Sequence, residues 1–376
     1  MKQIVPANTT KQLKLFVDFP HELYKNDPNY VPELFIAQKD LLTPGKHPFH
    51  ENGVVQKFLA FDNDKIVGRI AAITNKNYVS FTGKNDGFFG FFECINDEET
   101  AKLLFDTAEK WLREQGVTGK IIGPVSPSTN EVCALLVEGF NEPPKVMMPY
   151  NPPYYYQLIE TNGFAKQTDI LAYQYLISTY NDTRMRRLHD LMQKRLQDRN
   201  IVIRKINLKD FKNEAKKIKE VYNSAWDKNL GFTPMTDAEF NYAAKDMKLI
   251  LDPEFCIVAE HEGKIIGFAL ALPNINEALI KVKRGRLLPT GIFKLLTGKK
   301  KVKSLRILLL GVIEGYRKAG IEMNFYSTII DNVKKNKKIN EVEASWILED
   351  NLMMRKAIED INGKIYKRYR IFEKQI

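Results

Sequence analysis

At 376 residues, 44% apolar and 27% charged, the chain is long enough for two domains that each bury a core, and it carries no low-complexity tract. Its N-terminus, MKQIVPANTTKQLKLF, has no apolar export region and no transmembrane segment stands out, so the expected compartment is the cytoplasm. Cys94, Cys133 and Cys256 form no CxxC pair and, with five scattered histidines, give no metal-site spacing; buried reduced thiols and no metal are expected. The net charge of +11 is unevenly divided: residues 1–183 carry 17 Lys/Arg against 22 Asp/Glu, and residues 184–376 carry 40 against 24. A basic half of that kind attracts phosphorylated small molecules, RNA or an anionic membrane surface alike.

Taken in order, the chain predicts a helix capped at Thr9/Thr10 and running to Leu23, then aromatic and proline-rich loops to about Phe49. Strands follow at 57–62 and 65–74, joined by the turn Asp62-Asn63-Asp64, and at 87–94. Residues 98–115 read as a helix with Leu103, Leu104, Ala108, Trp111 and Leu112 inward. A strand at 120–123, a short helix at 154–161 and a strand at 169–177 complete the first half. A helix over 184–199, capped by Asp182, joins the halves. The second half predicts a strand at 201–206, a helix at 209–226 and a hairpin of 255–261 and 264–272. After residue 306 come a strand, a turn and a helix, then a strand at 343–347, a helix at 352–361 and a strand at 365–373.

The halves repeat. Lys65-Ile66-Val67-Gly68 matches Lys264-Ile265-Ile266-Gly267, Asn162-Gly163 matches Asn362-Gly363, and Ile4 corresponds to Ile203, all at nearly one offset. Matches at a constant spacing, within the same order of elements, indicate a duplicated α/β unit. Residues 131–150 interrupt the first copy and 273–303 the second. The latter holds Arg284-Gly285-Arg286, Lys299-Lys300-Lys301 and the apolar patch Ile292-Phe293-Leu295-Leu296, readable as a solvated basic loop, a substrate lid, a membrane-surface element or a partner arm.

The stretch from Arg306 to Lys335 carries the clearest chemistry. A buried strand over 307–313 leads through Gly315-Tyr316-Arg317-Lys318-Ala319-Gly320 into a helix with Ile321, Phe325, Ile329 and Val333 on one face. The free amides and positive dipole end of such a helix can hold a phosphate, although the same pattern also describes an ordinary basic turn.

Arg317-Lys318-Ala319-Gly320-Ile321 resembles the pyrophosphate loop of the GNAT acyltransferases, with Glu322 where that pattern has a small residue. The element order of each half is similar to the GNAT fold, and Asn162-Gly163-Phe164 looks like the ending of that family's last helix. Gly90-Phe91-Phe92-Glu93, the stretch from Gly123-Pro124 through Asn130, Tyr150-Asn151-Pro152-Pro153-Tyr154-Tyr155 and Trp346-Ile347-Leu348-Glu349-Asp350-Asn351 extend the resemblance to bacterial tandem GNAT-like proteins over nearly the whole chain. It implies an α/β fold of two tandem GNAT-like units, each a mixed central sheet flanked by helices: residues 1–180, a linking helix at 181–200, and residues 201–376.

The resemblance also implies acetyl-CoA, or another acyl-CoA, in the second unit, donating its acyl group to a small-molecule or peptide amine. Leu310, Gly311 and Val312 would hold the pantetheine arm; Arg317, Lys318, Ala319, Gly320 and Ile321 the diphosphate; Asn351 an amide of the cofactor. Glu349 is the candidate base and Tyr316 the candidate acid, because Glu359 and Ile159 stand where the family's tyrosine would be. Trp226 and Trp346 are read as core packing or as pocket walls. In the first unit Asn96 and Glu99 form a capping box that would satisfy the helix amides internally, among carboxylates that repel a diphosphate. Two alternatives stand beside this reading: an aminoacyl-tRNA-dependent transferase, which suits the basic half and brings in nucleic acid, and an acyl-CoA-binding module without turnover.

Overall fold

A computed structural model describes residues 1–179, 182–226, 231–317 and 319–376. In chain order the elements are β1 (Lys2–Pro6), α1 (Thr10–Leu23), α2 (Phe35–Leu41), β2 (Gly53–Asp62), β3 (Lys65–Asn75), α3 (Lys76–Thr82), β4 (Gly87–Cys94), α4 (Glu98–Glu114), β5 (Lys120–Gly123), β6 (Val125–Ser126), β7 (Val132–Cys133), β8 (Leu135–Glu138), α5 (Tyr155–Glu160) and β9 (Ala165–Leu176). They continue with α6 (Asp182–Gln197), β10 (Ile201–Lys205), α7 (Phe211–Ala225), α8 (Asp237–Lys248), β11 (Cys256–His261), β12 (Lys264–Pro273), α9 (Asn276–Leu279), α10 (Gly291–Lys299), β13 (Ser304–Val312), α11 (Ile321–Asn336), β14 (Glu341–Leu348), α12 (Leu352–Glu359) and β15 (Lys364–Gln375). The expected cap at Asp182 lies outside the described side chains.

The two compact units differ from the consecutive division expected at residues 180 and 201. Unit 1 comprises Met1–Ile170, Asn276–Thr297 and Lys367–Ile376; unit 2 comprises Leu171–Ile275 and Gly298–Tyr366. A strand belongs to the sheet that satisfies its main chain, whatever its place in the sequence, and β15 pairs antiparallel with β5 from Phe372↔Gly123 to Gln375↔Lys120. Likewise the insertion at 276–297 is held in unit 1, where Arg284 reaches Asp18 at 2.6 Å and the Arg286 guanidinium lies over the Phe35 ring at 4.1 Å.

Unit 1 orders its sheet β1-β2-β3-β4-β5-β15. α1 starts with a capping box between Thr9 and Gln12 and buries Phe16, Val17 and Phe19. On α4 the buried stripe is Ala101, Leu104, Phe105, Ala108 and Leu112, so Leu103 and Trp111, expected inward, stand at its margins. Phe105 stacks on Phe92 of β4 instead, which turns the helix slightly about its axis relative to the simple periodicity.

Unit 2 orders its sheet β9-β14-β13-β12-β11-β10. On α11, Ile321, Phe325, Ile329 and Val333 are fully buried, as their spacing predicts. The duplication is visible in the main chain. The β2–β3 hairpin shifts register between Ala60 and Phe61, and the β11–β12 hairpin between Ala259 and Glu260, 199 positions later. Both β4 and β13 carry a further bulge, the latter leaving Leu308 extra between the pairs Leu270↔Leu309 and Ala271↔Ile307.

A fully buried ion pair crosses the centre of unit 2. Arg306 of β13 stands opposite Glu343 of β14, with its Nε 3.4 Å from Glu343 Oε1 and donating to Ser345 Oγ at 2.7 Å. Tyr366 donates its hydroxyl proton to the other Glu343 oxygen. Arg306→Met, which strands a buried carboxylate, should cost about 3–5 kcal/mol. The pair Arg306→Met/Glu343→Leu should recover most of that loss in urea unfolding; an additive double variant would show that the two charges are not coupled.

Candidate functional site

β13 and β14 run parallel and pair from Ser304↔Glu341 to Ile307↔Ala344, and there the pairing stops although both strands continue. β13 stays laddered to β12 on its other side, and the Leu308 bulge turns it away. β14 is bent by Trp346, whose φ of 64° is a left-handed conformation that a large aromatic residue rarely adopts. The result is a V-shaped opening walled by half-exposed Leu308, Leu309 and Leu310 on one strand and Trp346, Ile347 and Leu348 on the other. Gly311 is buried because the Trp226 ring lies against it; a Cβ there would be 2.4 Å from Trp226 Cη2. Trp226 also packs on Tyr222 and Phe268, so its part is packing, while Trp346 walls the opening.

Beyond Val312, the chain turns through residues 314–316 and enters α11 at Gly320, whose φ of 95° suits glycine; among the described residues no side chain caps the helix. Ala319 and Ile321 are buried in the core, so their main chain alone can face a ligand. Arg317 departs from expectation. Its Nε donates to Val312 O at 3.2 Å and its Nη2 to Ala225 O at 2.8 Å, so the guanidinium satisfies a strand end and the last carbonyls of α7 instead of reaching outward. Lys318 lies outside the described residues. Glu322 is half-buried; burial raises its pKa, against its own main-chain N–H and the nearby Arg317, which lower it.

The other candidates fall into two groups. Tyr316 Oη shares a 2.8 Å hydrogen bond with Nδ1 of His261. At the start of α12, Asn351 is a helix cap, its Oδ1 accepting from Met354 N–H at 3.1 Å. Arg355 donates to the Glu349 carbonyl at 2.8 Å and to the Tyr173 hydroxyl at 3.3 Å, and Tyr173 donates to Glu359 at 2.8 Å. A tyrosine thus does reach the position that Glu359 holds, but from β9, where no local motif announces it.

Unit 1 fills the corresponding places with its own chain. β4 and β5 pair only at Gly87↔Ile121 and Phe88↔Ile122, and β6 enters the gap beyond. Phe91 N–H donates to Ser126 Oγ at 3.1 Å, and a Cβ on Gly90 would lie 1.5 Å from Val125 O. The helix amides are satisfied too, with one correction: Asp97, not Asn96, is the cap, accepting from Thr100 N–H at 2.7 Å, and Lys2 bridges Asp97 and Glu99 at 2.6 Å each.

The sequence reading missed a buried polar cluster in unit 1. Tyr24 donates to Glu93, Tyr155 donates to the same carboxylate at 2.8 Å, and Arg69 lies 3.6 Å from its other oxygen while donating to Phe16 O at 2.7 Å. Burial raises the Glu93 pKa, and Arg69 and the two hydroxyls oppose the rise. A single carboxylate in the otherwise apolar run Gly87–Cys94 is the signal that should have prompted a search for its partners. Next to this cluster in the same unit, His21 shares a 3.0 Å hydrogen bond with the Tyr30 hydroxyl.

Burial, reinforced by Arg69, lowers the His21 pKa from 6.5 to about 4, and burial lowers His47 to about 4 as well. The unfolded chain therefore binds more protons than the native state in this range. The two histidines contribute stability that is complete above pH 6.5 and is lost as the pH falls towards 4. His21→Gln should remove its share of that acid sensitivity, up to about 3 kcal/mol. The measurement is the drop in melting temperature between neutral and acid buffer, which should be smaller in the variant than in the parent.

An opening between two parallel strands, next to an uncapped helix N-terminus and repeated in a filled form, defines the class of protein. Over 100% of this chain the fold matches a tandem GNAT protein from the clavulanic acid biosynthesis pathway (without AcCoA), with a TM-score of 0.58, 10% identity and 98% of that chain covered. It also matches the GCN5-related glucosamine N-acetyltransferase region of a fungal multi-domain GH3 β-N-acetylglucosaminidase, with a TM-score of 0.57 and 15% identity over 100% of this chain and 38% of that one. No family model matches the sequence. Among curated proteins, Protein YghO of Escherichia coli (strain K12) is 36% identical over 97% of this chain and 93% of its own length. Bacterial ceramide synthase of Caulobacter vibrioides (strain NA1000 / CB15N) is 35% identical over 99% of this chain and 97% of its own. The chain belongs to the family of these two relatives, and its fold is that of the tandem GNAT proteins.

Proposed function

We propose that the protein is an acyl-CoA-dependent N-acyltransferase that carries a long acyl chain onto the primary amine of a sphingoid-type base. The observation that carries this reading is the open, apolar V between β13 and β14, set against its filled counterpart in unit 1. The half-exposed apolar residues of the two strands that flank it suit an acyl chain much longer than the acetyl group first expected. A relative named bacterial ceramide synthase supports an amine acceptor of lipid type, since a ceramide is the amide of a fatty acid with such a base.

The free edge of β13 suits an amide-bearing arm laid along it as an extra strand, and the uncapped amides of α11 suit a diphosphate. Acyl-CoA, when bound, supplies a thioester carbonyl open to attack. In the overall reaction a C–N bond forms and the C–S bond breaks; the ammonium nitrogen loses two protons, one released through the base to solvent and one matched by the proton that the departing sulfur gains. Glu349, whose carbonyl Arg355 anchors, is the proposed acceptor of the amine proton. Tyr316, paired with His261, is the proposed donor to sulfur, with the imidazole able to replenish its proton.

Titration of a long-chain acyl-CoA should give one site per chain, and amide formation from a sphingoid base should rise with acyl length. Two equivalent sites, or acetyl transfer preferred over long-chain transfer, would contradict the reading. Tyr316→Phe should lower kcat by about 10²-fold or more with little change in acyl-CoA affinity; an unchanged kcat removes Tyr316 from the chemistry. Glu322→Ala should tighten acyl-CoA binding while lowering stability by about 0.3–1 kcal/mol, because the carboxylate favours the helix dipole but opposes a diphosphate. Weaker binding in that variant would mean that Glu322 orders the loop.

A further inference from the structure

Helix α10 turns its apolar face outward. Ile292, Phe293 and Leu296, at positions i, i+1 and i+4, are 38%, 68% and 59% exposed, and Leu288 just before the helix is 78% exposed. The face that meets the protein holds the buried Gly291, where a Cβ would lie 2.2 Å from the Arg286 carbonyl, and the half-buried Leu295. An amphipathic helix in a water-exposed position normally turns its large apolar side chains inward. Here Ile292, Phe293 and Leu296 are left side by side in water.

The charge around the helix is of one sign. Residues 281–303 contain nine Lys/Arg and no Asp or Glu. The two arginines are turned inward, Arg284 and Arg286 both meeting Asp18. What remains on the outside is lysine, at 281, 283, 294, 299, 300, 301 and 303, all exposed. Lysine is a point charge on a flexible stem; it neutralises a diffuse anionic surface without the planar, bidentate geometry that arginine brings to bases and phosphodiesters. Among the described residues no helix is long and apolar enough to cross a membrane, and with nine residues α10 could meet a bilayer only by lying in its surface.

We propose that α10 and its lysine-rich flanks, residues 288–303, form an interfacial anchor that seats on an anionic phospholipid bilayer, with Leu288, Ile292, Phe293 and Leu296 inserted among the acyl chains and the lysines on the headgroups. The inference goes beyond the enzymatic reading and holds whichever amine is acylated.

Co-sedimentation of the full chain with vesicles tests it. Binding is expected to vesicles of phosphatidylcholine mixed with phosphatidylglycerol, weakening with salt, and little to phosphatidylcholine alone. Phe293→Ser/Leu296→Ser should weaken that binding by roughly tenfold or more with melting unchanged, since both side chains are exposed. Lys299→Glu/Lys300→Glu/Lys301→Glu should do the same. Phe293→Trp should give a fluorescence signal quenched by brominated acyl chains. Absence of binding to any vesicle would overturn the anchor. So would binding indifferent to the Phe293/Leu296 change, release from vesicles by glycerol phosphate alone, or a patch that is instead covered by RNA or by a second copy of the chain.

Discussion

Arg306 and Glu343 meet with neither side chain reaching solvent, one register position before β13 and β14 part. A buried pair of this kind contributes little net stability over a well-packed apolar pair, but it is severe on any arrangement that separates its members. Ser345 and Tyr366 take further hydrogen-bonding capacity, so slipping the strands by one position would break several buried polar contacts at once. The strands are therefore held together up to that point and free to diverge after it. The candidate site is what divergence leaves: two apolar strand edges with a polar floor, and a helix N-terminus beyond.

The two units make opposite use of one scaffold. Both have the shifted hairpin at an offset of 199 and a bulge on the strand that borders the gap. In unit 1, β6 lies against Gly90 in that gap, and Asp97, held by Lys2, caps the helix by accepting from Thr100 N–H. In unit 2 both features are left open at an energetic cost in exposed leucines and uncapped amides. Exposure of that kind is what a ligand-binding site requires, because binding free energy comes from groups that folding has not already satisfied.

Unit 1 has instead invested in its interior. Glu93, Arg69, Tyr24 and Tyr155 form a buried network in which the carboxylate finds partners in place of water, and His21 and Tyr30 add a neutral histidine beside it. Such networks tolerate little change in protonation, and this ties the integrity of unit 1 to pH while unit 2 holds the open site.

Much of the architecture was legible in the residues themselves. Short apolar and aromatic runs gave the strands at 87–94 and 120–123, and 3.6-residue spacing gave the buried face of α11, since these depend on which residues of a local element must leave water. The constant spacing between copies gave the duplication, and Arg317 to Ile321 pointed to the loop that enters α11. The outcomes that needed tertiary structure are those decided by partners far along the chain. Arg317 turns to Ala225 and Tyr173 to Glu359, and β15 pairs with a strand some 250 positions earlier. Whether the gap beside a parallel strand pair is filled or empty depends on whether the chain that follows, as β6 does in unit 1, folds back into it. Local periodicity determines which face of an element seeks burial; which groups are already satisfied, and so which remain for chemistry, is decided only when the whole chain has packed.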